Sequence, residues 1–214
     1  MTLPLPAALA ASYLLGAIPT SLIAARALRG VDLRRVGSGN LGATNLYRAA
    51  GWKAALPVAA FDIAKGLVPA TLIAGTVGPG PRSEGIALAC GLAAVVGHVY
   101  SVFARFRGGK GVATGAGAML GLAPLAVGAA AGIWALVTLM SGYVSLGSMI
   151  AALSLVPAVW FLYPDQRGLL PFYLLLAVGI VWVHRANLAR LRAGTEHRFG
   201  RRGAGAGATG KGNP

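Results

Sequence analysis

Between Gly111 and Met140 the chain runs for thirty residues without one charged side chain. Few structures accommodate such a run. In hydrocarbon every backbone N–H and C=O must be satisfied within the segment, so an apolar stretch longer than about 18 residues reads as a membrane-crossing helix. Further stretches of mostly apolar residues cover 5–25, 54–77, 85–103, 143–162 and 169–184. Only 11% of the 214 residues are charged, against about 25% in a soluble domain. An all-α integral membrane protein is therefore expected. Its 32 glycines suit helices that pack closely in lipid through small residues.

The number of crossings depends on the thirty-residue run. Gly121 and Pro124 interrupt it, so it forms either one tilted helix or two shorter ones. The basic residues decide between them. Sixteen of the 19 Lys and Arg gather in three places: from Arg26 to Lys53, from Arg105 to Lys110, and from Arg185 onward. Short loops rich in Lys and Arg stay on the cytoplasmic side. Only a split run, giving seven transmembrane helices, puts all three groups on one side. The N-terminus is then outside, the C-terminus is cytoplasmic, and residues 78–83 and 163–168 face outward. The first apolar stretch has no basic segment before it and is read as a retained span. A seven-helix unit over 1–198 is expected to be followed by a basic Gly/Ala-rich tail, 199–214, which is too poor in large apolar side chains to fold and suited to anionic headgroups. The net charge of +14 sits where a membrane protein places it and does not call for nucleic acid. Cys90, the only cysteine, lies in an apolar run and can form no intrachain disulfide.

Against this background "GSGNLGATNLYR", residues 37–48, is conspicuously polar. Gly37, Gly39 and Gly42 let a ligand approach main-chain N–H groups closely. Ser38, Asn40, Thr44 and Asn45 add neutral donors, and Arg48 adds a forked cation suited to phosphate. A turn with one positive-inside arginine is the plainer alternative. A second segment, "FRGGKGVAT", surrounds Lys110 with Gly108, Gly109 and Gly111 at the start of a helix, a setting that favours an anion. The spacing is not that of a nucleotide P-loop, so ATP and GTP are not implied.

A third segment, "HRANLARLRAGTEHR", places His184 and Asn187 three residues apart, on one face of a helix. Glu196, set among arginines, is read as neutralising and orienting them, with acid–base work as the alternative. Asp62 and Lys65, at i and i+3 inside a span, can pair and so share the cost of ionised groups in hydrocarbon. A proton relay is the other reading of that pair. Ser145 and Ser148 fall at the start of a later span, as caps or as part of a polar pocket. No HExxH motif or Cys/His cluster suggests a metal.

Together, "SGNLGATNLYR", "GH…F…GGKGVAT" and "NLARLRAGTE", with "FDIAKG" in the second span, resemble the signature motifs of the bacterial acyl-phosphate:glycerol-3-phosphate acyltransferases, the PlsY family. The likeness runs from about residue 5 to 198. It implies an enzyme of the bacterial inner membrane with its site at the cytoplasmic face. That enzyme moves a fatty acyl group from acyl phosphate to the sn-1 hydroxyl of glycerol 3-phosphate. The products are lysophosphatidate and phosphate, the first step of phospholipid synthesis, with no cofactor. Carried over by position, Ser38, Arg48, Lys110 and His184 are the catalytic residues. Gly37, Gly39, Asn40, Asn45, Gly108, Gly109, Gly111, Ser148 and Asn187 bind substrate, and Glu196, Asp62 and Lys65 support the structure. The oligomeric state is left open, a monomer included. The His-x4-Asp motif of other glycerolipid acyltransferases is absent, since the fifth residue after each histidine is Phe103, Ala189 or Arg202. A carrier of a phosphorylated anion is the rival from another class, disfavoured because every polar motif falls on one face.

Overall fold

The computed structural model describes residues 2–78 and 83–199. Ten α-helices account for most of them: α1 (Leu5–Ala17), α2 (Thr20–Arg29), α3 (Ala43–Ala50), α4 (Trp52–Val68), α5 (Glu84–Val99), α6 (Val112–Leu120), α7 (Pro124–Ser141), α8 (Val144–Leu162), α9 (Leu170–Val183) and α10 (Arg185–Arg192). Among the described residues six helical stretches are long and apolar enough to cross a membrane: Leu5–Arg29, Trp52–Thr76, Glu84–Ala104, Pro124–Ser141, Val144–Leu162 and Pro164–Val183. The thirty-residue run is split, as Gly121 and Pro124 predict. Its first part, α6, is only nine residues long, a rise of about 14 Å at 1.5 Å per residue.

The expected span over 5–25 falls within the crossing Leu5–Arg29, but its helix is interrupted between α1 and α2. Pro19 drives Ile18 into an extended conformation (ψ 115°), because a residue before proline avoids the helical region. The break leaves helix-end carbonyls without intrahelical partners, and buried side chains reach them from elsewhere. Lys65 Nζ donates to the Ile18 carbonyl at 2.9 Å, and Ser101 Oγ donates to that of Ala17. Past Pro69, which has no N–H to give, the helical path of α4 loosens into a π turn, Pro69–Ile73, and a 3-10 turn, Ala74–Thr76.

Glycine brings two helix pairs to backbone distance. Between α1 and α5, a Cβ at Gly16 would collide with the Ala94 carbonyl and one at Gly97 with that of Tyr13. Between α4 and α6, Gly66 abuts the Thr114 carbonyl and Gly117 that of Ile63. These are the small-residue contacts by which helices associate in lipid. The main core gathers Leu88, Met119, Leu155, Val159, Tyr173 and Leu176. A smaller core of Leu22, Leu33, Leu41, Leu46 and Val58 sits under the loop that precedes α3.

Each end of the bundle carries a polar cluster. At one end, Gln166 Nε2 donates to Glu84 at 3.1 Å and to the Leu122 carbonyl at 3.0 Å, while Tyr173 donates to Gln166 Oε1 at 2.6 Å. The other end holds the three polar segments.

Candidate active site

The loop of the first segment is organised by one side chain. Asn45 is buried, its Oδ1 accepting from the Ser38 N–H at 3.1 Å. Its Nδ2 donates to the carbonyls of Leu33, Val36 and Asn40 at 3.2, 2.9 and 3.1 Å. Gly37 (φ 59°) passes so close that a Cβ would strike the Asn45 amide. Asn45 thus folds the loop and has no amide group left over, and Gly37 is glycine to make room for it. The result is that Ser38, Asn40 and Arg48 line one wall of a cavity. Gly39 (φ 70°) turns the chain beside the Arg34 carbonyl and is not part of that wall.

In the second segment the expectation of a backbone anion nest needs correction. Gly108 N–H donates to the Val99 carbonyl at 2.9 Å and Gly109 N–H to that of His98 at 3.0 Å. Both are spent on the free carbonyls at the end of α5. What the loop offers the cavity is Gly111 and, above all, Lys110. The Lys110 ammonium donates to Asn187 Oδ1. Burial pushes its pKa down to about 8, opposed by Glu196 and reinforced by Arg190 and Arg48.

The third segment closes the ring. Glu196, buried, accepts from Asn187 at 2.6 Å, Ser145 at 2.9 Å and Arg190 at 2.7 Å. Burial alone would raise its pKa, but those hydrogen bonds outweigh it and hold the carboxyl below the ordinary value. Glu196 thus pairs with Arg190 and holds Asn187 and Ser145 in place. His184 is buried between α9 and α10, with Nδ1 2.7 Å from the Ile180 carbonyl. A carbonyl can only accept, so Nδ1 carries the proton and Nε2 keeps its lone pair. Burial, then the Lys110 charge, lower its pKa to about 4, so the ring is neutral near pH 7.

Groups from all three segments border one cavity of about 450 Å3, whereas Gly37, Gly39, Gly108 and Gly109 do not. Its polar mouth holds Ser38, Arg48, Lys110, His184, Asn187 and Glu196. Its depth is apolar, lined by Met119 of α6, Val127 and Trp134 of α7, Leu155 of α8 and Leu176 of α9. Ser148 lies on the wall between the two, its hydroxyl donating to the Val144 carbonyl at 2.8 Å. Among the described residues no carboxylate forms an ion pair with Arg48 or Lys110. The cavity thus joins cations that no carboxylate contacts directly to an apolar recess.

Residues 6–194 match the glycerol-3-phosphate acyltransferase family. The chain belongs to that family, the PlsY acyltransferases. It is 43% identical to the glycerol-3-phosphate acyltransferase of Chlorobaculum tepidum, over 89% of this chain and 95% of that one. It is 41% identical to that of Chlorobium phaeobacteroides, over 93% and 99%. The crystal structure of PlsY (YgiH), an integral membrane glycerol 3-phosphate acyltransferase, in its glycerol 3-phosphate form superposes with a TM-score of 0.83 at 38% identity, covering 92% of this chain and 96% of that one. The lysophosphatidic acid form gives 0.79, over 92% and 95%.

Asp62 and Lys65 of this acyltransferase pair at 2.9 Å, both buried, and Thr20 Oγ1 donates to Asp62 at 2.8 Å. Ser145, visible from sequence as a cap or pocket residue, bonds Glu196, a partner the sequence does not indicate. Thr20 carries no sequence signal, and His98 stands in the "GH…F…GGKGVAT" motif without a role of its own. Phe199, assigned to the tail from sequence, is held instead: its N–H donates to the Gly142 carbonyl at 2.7 Å and its ring stacks on Tyr47 at 5.3 Å. The rest of the predicted tail, 200–214, lies outside the described residues.

Proposed function

We propose that this protein transfers a fatty acyl group from acyl phosphate to the sn-1 hydroxyl of glycerol 3-phosphate, releasing phosphate and lysophosphatidate. The observation that carries this reading is the single cavity with a cationic mouth and an apolar depth. One compartment suits phosphate groups, the other an acyl chain. Residues 1–198 form the catalytic unit. The site faces the cytoplasm of the bacterial inner membrane, with the N-terminus outside and the C-terminus inside. α6 is the short seventh crossing. Supporting this, α6 starts beside Lys110 at the cavity mouth, and the turn after it meets Gln166 and Glu84 at the far end.

Acyl phosphate is a mixed anhydride, so the substrate hydroxyl attacks the acyl carbon directly and phosphate leaves without a covalent enzyme intermediate. Arg48 and Lys110 stabilise charge on the departing phosphate, an electrostatic effect worth most in a water-poor site. Ser38 and Asn40 orient the acceptor. Holding both substrates together supplies several kcal/mol by proximity, of the roughly 7–11 kcal/mol reachable. His184, with a pKa near 4, is a weak base but a good hydrogen-bond acceptor at Nε2. The proton therefore passes to a phosphate oxygen, while His184 aligns the hydroxyl.

The test is direct. Purified protein in lipid vesicles, given palmitoyl phosphate and glycerol 3-phosphate, should release phosphate and lysophosphatidate in equal amounts. Counterflow of glycerol 3-phosphate without product would overturn the reading in favour of transport. Activity with acyl-CoA but not acyl phosphate would overturn the donor.

A further inference from the structure

Lys110 is held at its tip by Asn187, but its backbone must also be fixed for the ammonium to meet a phosphate. The root of the loop rests on α5. Gly108 and Gly109 N–H groups bond the last carbonyls of that helix. Beneath them lies the imidazole of His98: a Cβ on Gly109 would collide with His98 Nε2 and come within 2.7 Å of the Leu41 carbonyl. The second segment is thereby wedged between the His98 ring and the loop of the first segment.

His98 is buried, and its Nδ1 has no hydrogen-bond partner. It faces Asp62 Oδ1 at 3.9 Å, beyond hydrogen-bond length. Asp62 is fixed in turn by Thr20 and Lys65, and Lys65 by the carbonyl at the α1–α2 break. Both His98 and Asp62 border the cavity. A chain of contacts thus runs from the helix break through Asp62 and His98 to the backbone next to Lys110. Such a chain is costly in an apolar bundle, and the two-residue Asp62–Lys65 pair would be complete without the imidazole.

We propose that His98, buried beneath Gly109 and facing the Asp62 that Thr20 and Lys65 hold, is a positioning residue that sets the Gly108–Lys110 backbone and so places the Lys110 ammonium against the substrate phosphate. It acts through Lys110 and takes no proton from substrate. The proposal rests on Lys110 being a phosphate-binding cation, as argued above.

The test is a double-mutant cycle on the full chain in lipid vesicles, with palmitoyl phosphate and glycerol 3-phosphate. His98→Asn should raise KM for a phosphate-bearing substrate by more than it lowers kcat. The total loss in kcat/KM should be roughly tenfold or more, up to the 10²-fold that about 1 Å of misplacement can cost. In a Lys110→Ala background the same change should cost less than about twofold, because coupled residues fail to add. Should His98→Asn not fold, judged by its thermal transition and gel-filtration profile, Thr20→Val is the second probe, with a smaller effect of the same pattern. Losses that multiply independently of Lys110, or a His98→Asn enzyme that matches wild type, would overturn the proposal. Full activity in Lys110→Ala alone would instead remove the cation role on which it stands.

Discussion

The two ends of the bundle use similar residues to opposite effect. At the far end Glu84, Gln166 and Tyr173 satisfy one another and the Leu122 carbonyl. At the cavity end Glu196 is equally well bonded, yet Arg48 and Lys110 remain without a carboxylate within ion-pair reach among the described residues. A polar cluster that closes on itself stabilises a helix bundle. One that leaves cations facing a cavity is prepared for an anion from outside, and the cost of burying Lys110 shows in its lowered pKa. Polarity in a membrane protein therefore does not by itself mark a site; incomplete pairing does.

The division between the ends can be broken by mutation. Lys110→Ala and Arg48→Ala should each cost about 10²–10³ in kcat/KM, the size seen when one charge-stabilising donor is removed. Losses under tenfold in steady-state assays would mean the mouth is not where charge develops.

A pH titration sharpens the same point. Because kcat/KM reports the free enzyme, it should fall as pH rises through about 8, where Lys110 loses its proton. Lys110→Arg should remove that limb, since a guanidinium stays charged. Linkage gives a matching stability signature. Folded Lys110 releases its proton near 8, whereas an unfolded lysine holds it to about 10.4. The unfolded state thus binds more protons between those values, and stability from this group should rise across that window. His184 works likewise at lower pH: stability should decline as pH falls from about 6.5 toward the folded value near 4.

Smaller still, His184→Gln should keep turnover within about tenfold of wild type, against the 10²–10⁴-fold expected on losing a general base. A loss in that larger range would return the proton-acceptor role to His184. Smallest for catalysis is Tyr173→Phe at the far end. It should lower thermal stability by about 1 kcal/mol, one hydrogen bond's net worth, and leave the turnover of folded enzyme unchanged. If it slowed turnover as much as Lys110→Ala, the contrast between the ends would collapse.

Much of this was legible in the sequence, for identifiable reasons. Long apolar runs state their own length requirement, so the spans emerged, and Gly121 and Pro124 marked the split before α7. The helix break at Ile18 was missed although Pro19 was in view, because composition over 5–25 outweighed one residue. In the site, charged groups in a greasy chain are conspicuous, so Arg48, Lys110, Asp62, Lys65 and Glu196 stood out. Their division of labour did not. Whether a glycine N–H meets a ligand or a helix-end carbonyl depends on packing many residues away. That is why Gly108 and Gly109 proved to brace α5, and why Asn45 proved to be the hub of its own loop. His98 stands in a quoted motif yet has no role legible from sequence, for the same reason: its significance lies in the backbone it touches.

The position of Glu196 along the chain has a consequence for biogenesis. Helices enter the bilayer in order of synthesis, and this carboxylate emerges only after α9 and α10. Until then Ser145 and Asn187 have no common anchor, and Asn187, the partner of Lys110, is not held from its other side. The cavity mouth is therefore completed only by the last described segment of the chain.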